Sequence, residues 1–363
     1  YGKFEANVLL DDVDGVKVIT LRRPEAMNAL DDRMNAEILA IIRRYENDPR
    51  TPGFVLVGYG ERAFCAGGDI GRFPSMLGDA PASIEYVKAC AAPLVHIDAM
   101  QKPVVAALNG MALGGGFEMA MRCHGIVAVA GAQLQLPEIT LGIAPGLGAM
   151  VVPYRRWPQA APIFHRMLLN AERLAAGRAH EAGIIDTLVD DYPALIRAAV
   201  ARVKALAAEP RRSLDAPVSV PAFEAPGPQT KTFDPEVTRI MERAIREAAG
   251  IEGLATALGV GYRAFGDTAC TAAARKGIMA FTGEMGGHVT HHASGAAGLY
   301  GLETHAVPYD PTQMTIDIDA LRREAKRLRP KLITVAGSLC LYPYPVREVR
   351  AIADEIGAIL RRL

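Results

Sequence analysis

The sequence predicts an α/β fold, and three observations carry that reading. Short apolar runs at Phe54 to Val57, Val104 to Leu108 and Ile126 to Ala130 are too uniformly apolar for a half-exposed sheet and read as buried strands. Segments with helical spacing alternate with them. Glycine clusters follow the first two runs, in Arg62-Ala-Phe-Cys-Ala-Gly-Gly-Asp69 and in Gly114-Gly115-Gly116, where strand hands over to helical character. Turns of that kind leave backbone N–H groups free to hold an anionic oxygen.

The elements follow in order. Residues Asn7 to Leu21 alternate apolar and polar around Asp14-Gly15, which predicts a hairpin. Arg23-Pro24 stops the second strand. Asp31 or Asp32 caps a helix whose apolar positions are Met34, Ile38, Ile41 and Ile42, and Asn47-Asp48-Pro49 ends it. Residues 74 to 100 read as loop and helix. The spacing then predicts a helix opened by the glycines at 114 to 116 and another running from Pro145 to Trp157. A third is expected from Pro162 to Leu174, with Pro at a tolerated first position. The stretch from Pro210 to Pro235 is an irregular, Pro-rich excursion. Helical patterning resumes at Asp234 and continues to about Phe281, and a final amphipathic helix is expected from Val346 to Leu360. The expected organisation is a core over residues 1–195, a helical region over 196–282 and an appended segment over 283–363.

Composition narrows the function. The 363 residues carry 40 Lys plus Arg and 40 Asp plus Glu, so the balance of charge points neither to nucleic acid nor to an acidic membrane. No apolar run reaches the ~20 residues that span a bilayer, and no signal-like segment opens the chain. The five cysteines, Cys65, Cys90, Cys123, Cys270 and Cys340, are scattered without metal-ligand spacing and read as reduced small hydrophobes of a cytoplasmic protein.

Two carboxylates stand just beyond the glycine turns. Glu118 lies two residues past Gly116 among Met119, Ala120 and Met121, and Glu138 follows Pro137 in a mostly apolar run. A thioester carbonyl on its way to an enolate needs hydrogen-bond donors aimed at its oxygen, and losing one such donor costs about 3–4 kcal/mol. Gly68 and Gly115 suit that task because a side chain there would block the ligand. Alone, Glu118 reads equally as a partner of the helix dipole and Glu138 as a surface turn. Together they read as an acid and a base sharing a proton.

Residues 1 to about 282 resemble the crotonase (enoyl-CoA hydratase/isomerase) superfamily. The resemblance rests on Arg23-Pro-Glu-Ala-Met-Asn-Ala-Leu30, Ala63-Phe-Cys-Ala-Gly-Gly-Asp69, Lys102-Pro-Val-Val-Ala-Ala-Leu-Asn-Gly-Met-Ala-Leu-Gly-Gly-Gly-Phe-Glu118 and Pro137-Glu-Ile-Thr-Leu-Gly-Ile-Ala-Pro-Gly-Leu-Gly148. It implies a crotonase-like spiral of ββα turns with a helical C-terminal region, a homotrimer or hexamer, and an acyl-CoA thioester as substrate, with no cofactor beyond the coenzyme A of that substrate. It also implies that Gly68 and Gly115 are the oxyanion donors and that Glu118 and Glu138 are catalytic, adding water to a 2-enoyl thioester. Ala63 and Ala66 would border the adenine, and Ala26, Gly67, Asp69, Gly114, Pro145 and Gly146 would line the rest of the substrate. His124 stands where the family carries Asp, and Ala149-Met-Val-Val-Pro-Tyr154 replaces the usual Gly-Thr-Gln-Arg-Leu, so the acyl group is left open.

Residues 286 to 358 resemble a stretch of serine hydroxymethyltransferase, through Gly286-Gly-His-Val-Thr-His-His292, Tyr309-Asp310, Ile316-Asp-Ile-Asp-Ala-Leu321, Arg329-Pro-Lys-Leu-Ile333 and Ile352-Ala-Asp-Glu-Ile-Gly-Ala358. There the residue matching His291 stacks on pyridoxal phosphate. The stretch stops short of that family's Asp and Schiff-base Lys, so no complete pyridoxal phosphate site is expected. A metal site at His288, His291 and His292 is the alternative reading; none is expected.

Overall fold

The predicted hairpin opens the chain. Strands β1 (Val8–Val13) and β2 (Val16–Leu21) pair antiparallel, with Asp14 at φ 52° and Gly15 at φ 85°. Both are left-handed, as a two-residue hairpin turn requires. The computed structural model describes residues 6–69, 76–223, 233–274, 278–280, 304–310, 315–335 and 345–362. They divide into one unit of residues 1–69 with 81–268 and a second of residues 70–80 with 269–363.

In the first unit Asp31 caps α1 (Asp32–Tyr45), accepting from the Met34 N–H at 2.7 Å, and Met34, Ile38 and Ile42 are buried on one helix face. The chain then winds through three similar turns. Strand β3 (Phe54–Gly58) leads to β4 (Ala63–Cys65) and α2 (Ala80–Ala99). Strand β5 (Val104–Leu108) leads to β6 (Met111–Leu113) and α3 (Gly115–Arg122). Strand β7 (Gly125–Val129) leads to β8 (Gln133–Gln135), a 3-10 turn at Glu138–Leu141, α4 (Val152–Arg156) and α5 (Ala161–Asn170). After β9 (Leu174–Ala175) and α6 (Ala176–Glu181) come β10 (Thr187–Val189) and α7 (Tyr192–Ala207).

The long strand of each turn enters one sheet, ordered β1-β2-β3-β5-β7-β10, and the short strand enters another, ordered β4-β6-β8-β9. Within these sheets β3, β5 and β7 run parallel, as do β4, β6 and β8. The result is the expected spiral of ββα turns. Its strands β3 and β5 are wholly buried, which is why their sequences carry no polar alternation. Helix α7 covers one face of the larger sheet, setting Leu195, Ala199, Val200 and Val203 among Val55, Val57, Val105 and Val127.

Helices α8 (Pro235–Ala249) and α9 (Leu254–Ala269) complete this unit. One guanidinium ties the preceding irregular segment to them. Arg155 donates to the carbonyls of Leu214, Asp215 and Ala216 at 2.8–3.1 Å and to those of Ala248 and Ile251 at 2.8 and 2.6 Å.

Several expected boundaries are corrected. No helix starts at Pro145: α4 covers only Val152–Arg156, because the Leu147 and Ala149 N–H groups are turned onto the Glu118 carboxylate and Gly148 sits at φ 128°. Helix α5 ends at Asn170 rather than Leu174, where Ala171 adopts a left-handed conformation and β9 begins pairing with β8. The helical patterning stops at Ala269 rather than continuing to Phe281, and Ile278–Ala280 is a strand.

The second unit has a four-stranded sheet whose pairings, of Ile278–Ala280 with Thr304–Ala306 and Leu332–Val335, and of Leu332–Val335 with Ile359–Arg362, are all parallel. Helices Ile318–Leu328 and Val346–Ile356 supply Leu321, Ala325, Val349 and Ile352 to a core shared with Val307 and Ile333. The last helix ends at Ile356, not Leu360, since Gly357 turns left-handed and Ile359 starts a strand. The histidines at 288, 291 and 292 and Cys340 lie outside the described residues.

Candidate active site

The first glycine turn is held by asparagines. Asn28, at φ 58°, donates to the carbonyls of Tyr59 and Ala63 at 3.0 and 2.8 Å. Asn109 accepts from the Gly58 N–H at 3.0 Å and donates to Gly58 O at 2.9 Å. Ala26 lies half-buried at the end of a 3-10 turn, Pro24–Ala26, and the next residue, Met27, accepts from the Ala66 N–H at 3.0 Å. Asp69 pairs with Arg23 at 2.9 Å.

Leu30 forms a parallel bridge with Gly68, in which Leu30 N–H donates to Gly67 O and Asp69 N–H donates to Leu30 O, each at 2.8 Å. Alternate residues of an extended segment point opposite ways, so this bridge turns the Gly68 N–H to the other side. A β-carbon on Gly115 would lie 3.2 Å from the Gly68 nitrogen, and one on Gly67 would lie 3.2 Å from the Gly115 nitrogen. The two amides border one small space. Among the described residues, neither N–H donates to a protein acceptor. Gly115 is moreover the first residue of α3, where the helix leaves its N–H without an internal partner.

Glu118 is one turn into α3 and 2% exposed. Its Oε1 accepts from the N–H groups of Leu147 and Ala149, both at 2.8 Å. Burial pushes its pKa up to about 7, against the lowering effect of those amides and of Arg122. Glu138 opens the 3-10 turn after β8, and its carboxyl backs onto Gly114, at φ 50°, where it fills the room a β-carbon would need. Its Oε2 is buried with no hydrogen-bond partner among the described residues. Burial first, and then the charge of Glu118, raise Glu138 well above the ordinary carboxyl range. The two therefore titrate as a pair, and one proton between them is the favoured state near neutral pH.

The structure thus brings Gly67, Gly68, Gly114, Gly115, Glu118 and Glu138 together. Pro145 and Gly146 are buried on the segment that reaches Glu118 through Leu147, with Gly146 packed against Val87 and Phe265. Ala63 is buried in β4 with its carbonyl taken by Asn28, while Ala66 is half-buried. His124 lies apart from this group. Its Nδ1 accepts from the Val104 N–H at 2.8 Å, and burial together with Arg211 and Arg156 pushes it down to about 3, so it is neutral.

Sequence reasoning missed the parts that hold the site from behind. Arg156 donates to the carbonyls of Met121, Cys123 and His124 and so covers the C-terminal end of α3. Arg122 pairs with Asp98 and donates to Leu147 O at 3.1 Å. An arginine in a helix that is apolar apart from Glu118 is the visible signal for Arg122; nothing local marks the amides of Leu147 and Ala149.

Among the described residues no cluster of His, Cys, Asp and Glu is able to hold a metal ion, and no helix is long and apolar enough to cross a membrane. Burial raises the thiols of Cys65 and Cys123 to about 12, which keeps them protonated.

The profile of the enoyl-CoA hydratase/isomerase family matches residues 11–221. An (E)-benzylidenesuccinyl-CoA hydratase of Thauera aromatica is 35% identical over 183 residues, covering 50% of this chain and 70% of that protein. The crystal structure of an enoyl-CoA hydratase from Bacillus anthracis superposes with a TM-score of 0.51 at 25% identity, covering 71% of this chain and 89% of that one. A further match is of a different kind: an alpha-methylserine aldolase of a Ralstonia species is 50% identical over 90 residues, which span 24% of this chain but only 20% of that enzyme. With a matching profile over more than half its length and a fold shared with solved hydratases, the chain belongs to the enoyl-CoA hydratase/isomerase family.

Proposed function

We propose that the chain is an enoyl-CoA hydratase-type lyase that adds water syn across the double bond of a 2-enoyl-CoA thioester. The observation that carries this reading is the coupled pair of glutamates beside two unengaged amides. The Gly68 and Gly115 N–H groups donate to the thioester oxygen and stabilise the charge that develops there. Glu118, ionised and fixed through Oε1, holds the water and takes its proton as the oxygen bonds to C3. The π electrons move to C2 and the carbonyl, and Glu138 delivers its proton to C2. Water restores the pair by returning one proton from Glu118 to Glu138.

The substrate's coenzyme A would run past Ala26, Ala63 and Ala66, with Gly67, Asp69 and Gly114 beside the pantetheine end and Pro145 and Gly146 near the acyl group. An enoyl-CoA isomerase or another CoA-thioester enzyme of the family is the alternative, and the presence of both glutamates favours hydration over it. A non-catalytic acyl-CoA-binding module would have no use for a buried carboxyl without a partner. The chain would work in the cytoplasm as a homotrimer or hexamer through the region 196–282, after a core of residues 1–195, with no cofactor of its own. We read residues 283–363 as an appended segment related to serine hydroxymethyltransferase-like enzymes. The partial match to an alpha-methylserine aldolase does not bring that enzyme's activity to this chain, because so little of the enzyme is matched.

The test is absorbance of the conjugated thioester with crotonyl-CoA. The wild-type protein is expected to bleach it and Glu138→Gln to lose at least 10³-fold in kcat, in the range that loss of a general acid produces. Tight binding of crotonyl-CoA without turnover by the wild type would establish the binding module instead.

A further inference from the structure

Arg122 stands one helical turn beyond Glu118 on α3, with its side chain wholly shielded from solvent. Withdrawing a guanidinium from water is costly unless partners replace the lost hydration. Asp98 of α2 supplies most of the replacement, meeting Nη2 closely and Nε at 3.4 Å. The remaining arm, Nη1, donates to the Leu147 carbonyl at 3.1 Å. Leu147 is also the residue whose N–H donates to Glu118 Oε1 at 2.8 Å. A single residue of the loop is therefore clamped at both ends by two side chains of the same helix, four positions apart. Gly148 lies between the two amides that grip Glu118, and a β-carbon there would be 3.5 Å from Arg122 Cδ. The loop is wrapped onto the arginine stem as well as its head.

We infer that Arg122, locked to Asp98, is a positioning residue: it fixes the Leu147–Ala149 backbone that grips Glu118 and keeps a cation next to that carboxylate. The groups facing this assembly are Glu138 from the 3-10 turn, Asp98 from α2 and Tyr262 from α9, with Arg211 acting on Asp98. Only arginine suits the position, since its planar fork reaches a carboxylate and a carbonyl at once, whereas a lysine ammonium would satisfy one and leave the other.

The catalytic consequence rests on the hydration reading, but the positioning itself does not, so the experiment has two arms. The variants are Arg122→Lys and the double variant Arg122→Met with Asp98→Asn, which leaves no unpaired buried charge. In the first arm, carboxyl-carbon NMR of 13C-labelled glutamate follows the Glu118 titration, assigned with Glu118→Gln. The midpoint is expected to rise by about 0.5–1 unit in the double variant and to stay near the wild-type value in Arg122→Lys. In the second, kcat for crotonyl-CoA is expected to fall about 30- to 100-fold in the double variant and about 3- to 10-fold in Arg122→Lys, with KM changed less than threefold. If the wild type fails to hydrate any enoyl thioester while the midpoint still moves, the hydration reading falls and the positioning role stands. Folded variants that keep both the midpoint and kcat of the wild type, or lose only melting temperature, would overturn the inference; Arg122→Lys keeps the test open should the double variant not fold.

Discussion

The carboxyl of Glu138 occupies the space that a β-carbon on Gly114 would need. Gly114 thus has two independent reasons to be glycine, its φ of 50° and the oxygen beside it. Gly114→Ala is expected to lower stability by about 1–3 kcal/mol through backbone strain. It should also displace Glu138 and reduce kcat at least 100-fold. Melting curves and steady-state rates on crotonyl-CoA separate the two effects, and a variant with normal kcat would show that Glu138 does not act from its present position.

The paired glutamates make stability and activity respond oppositely to pH. Both pKa values are raised above the 4.5 of an unfolded glutamate, so the folded chain holds more protons than the unfolded one as pH climbs past that value. Their favourable contribution is complete below about pH 4.5; the share of Glu118 fades as pH rises through about 7, and that of Glu138 fades as pH rises through its own strongly raised value. Activity should instead increase through that interval as Glu118 ionises. Glu138→Gln removes one buried acid and its repulsion of Glu118. It is expected to melt several degrees above the wild type at pH 8 and to be inactive, with ~2–4 °C for each kcal/mol at this size. Calorimetry at pH 5 and 8 measures the difference, which should shrink at the lower pH.

Asn109 holds the first glycine turn from the second. Through Oδ1 it accepts the Gly58 N–H, and through Nδ2 it donates to the Gly58 carbonyl, all within the buried sheet. Replacing it with Ala strands buried peptide groups, which is worth about 2–3 kcal/mol. Because the turn that presents Gly68 then loosens, both kcat and substrate affinity should decline. Urea unfolding and isothermal titration with a non-reactive acyl-CoA give the two readouts.

Arg155 fastens the segment at 214–216 to the ends of α8 and the loop beyond it. Arg155→Met removes one donor from each of five carbonyls and is expected to destabilise by roughly 3 kcal/mol. Trypsin should then cut faster after Arg211 and Arg212, and gel densitometry of a timed digest measures the rate. Unchanged cleavage would mean that the segment is held by its other contacts.

What the sequence determined by itself was local or periodic. The Asp14-Gly15 turn, the Asp31 cap, the three apolar strands and the two glycine turns each follow from a few neighbouring residues, because backbone conformation and strand burial leave marks at short range. Glu118 and Glu138 were legible for the same reason: a carboxylate amid apolar residues stands out. Tertiary structure alone decided where the Leu147 and Ala149 amides point, and thereby cancelled a helix expected from Pro145. Those amides meet a charge 29 and 31 residues earlier in the chain, and a buried carboxylate without donors is worse placed than a loop without helix bonds. The same long-range logic set Asp98 against Arg122 and put the Gly68 and Gly115 N–H groups on either side of one space. Hydrogen bonds between distant residues have no sequence period, and only the folded chain shows which are made.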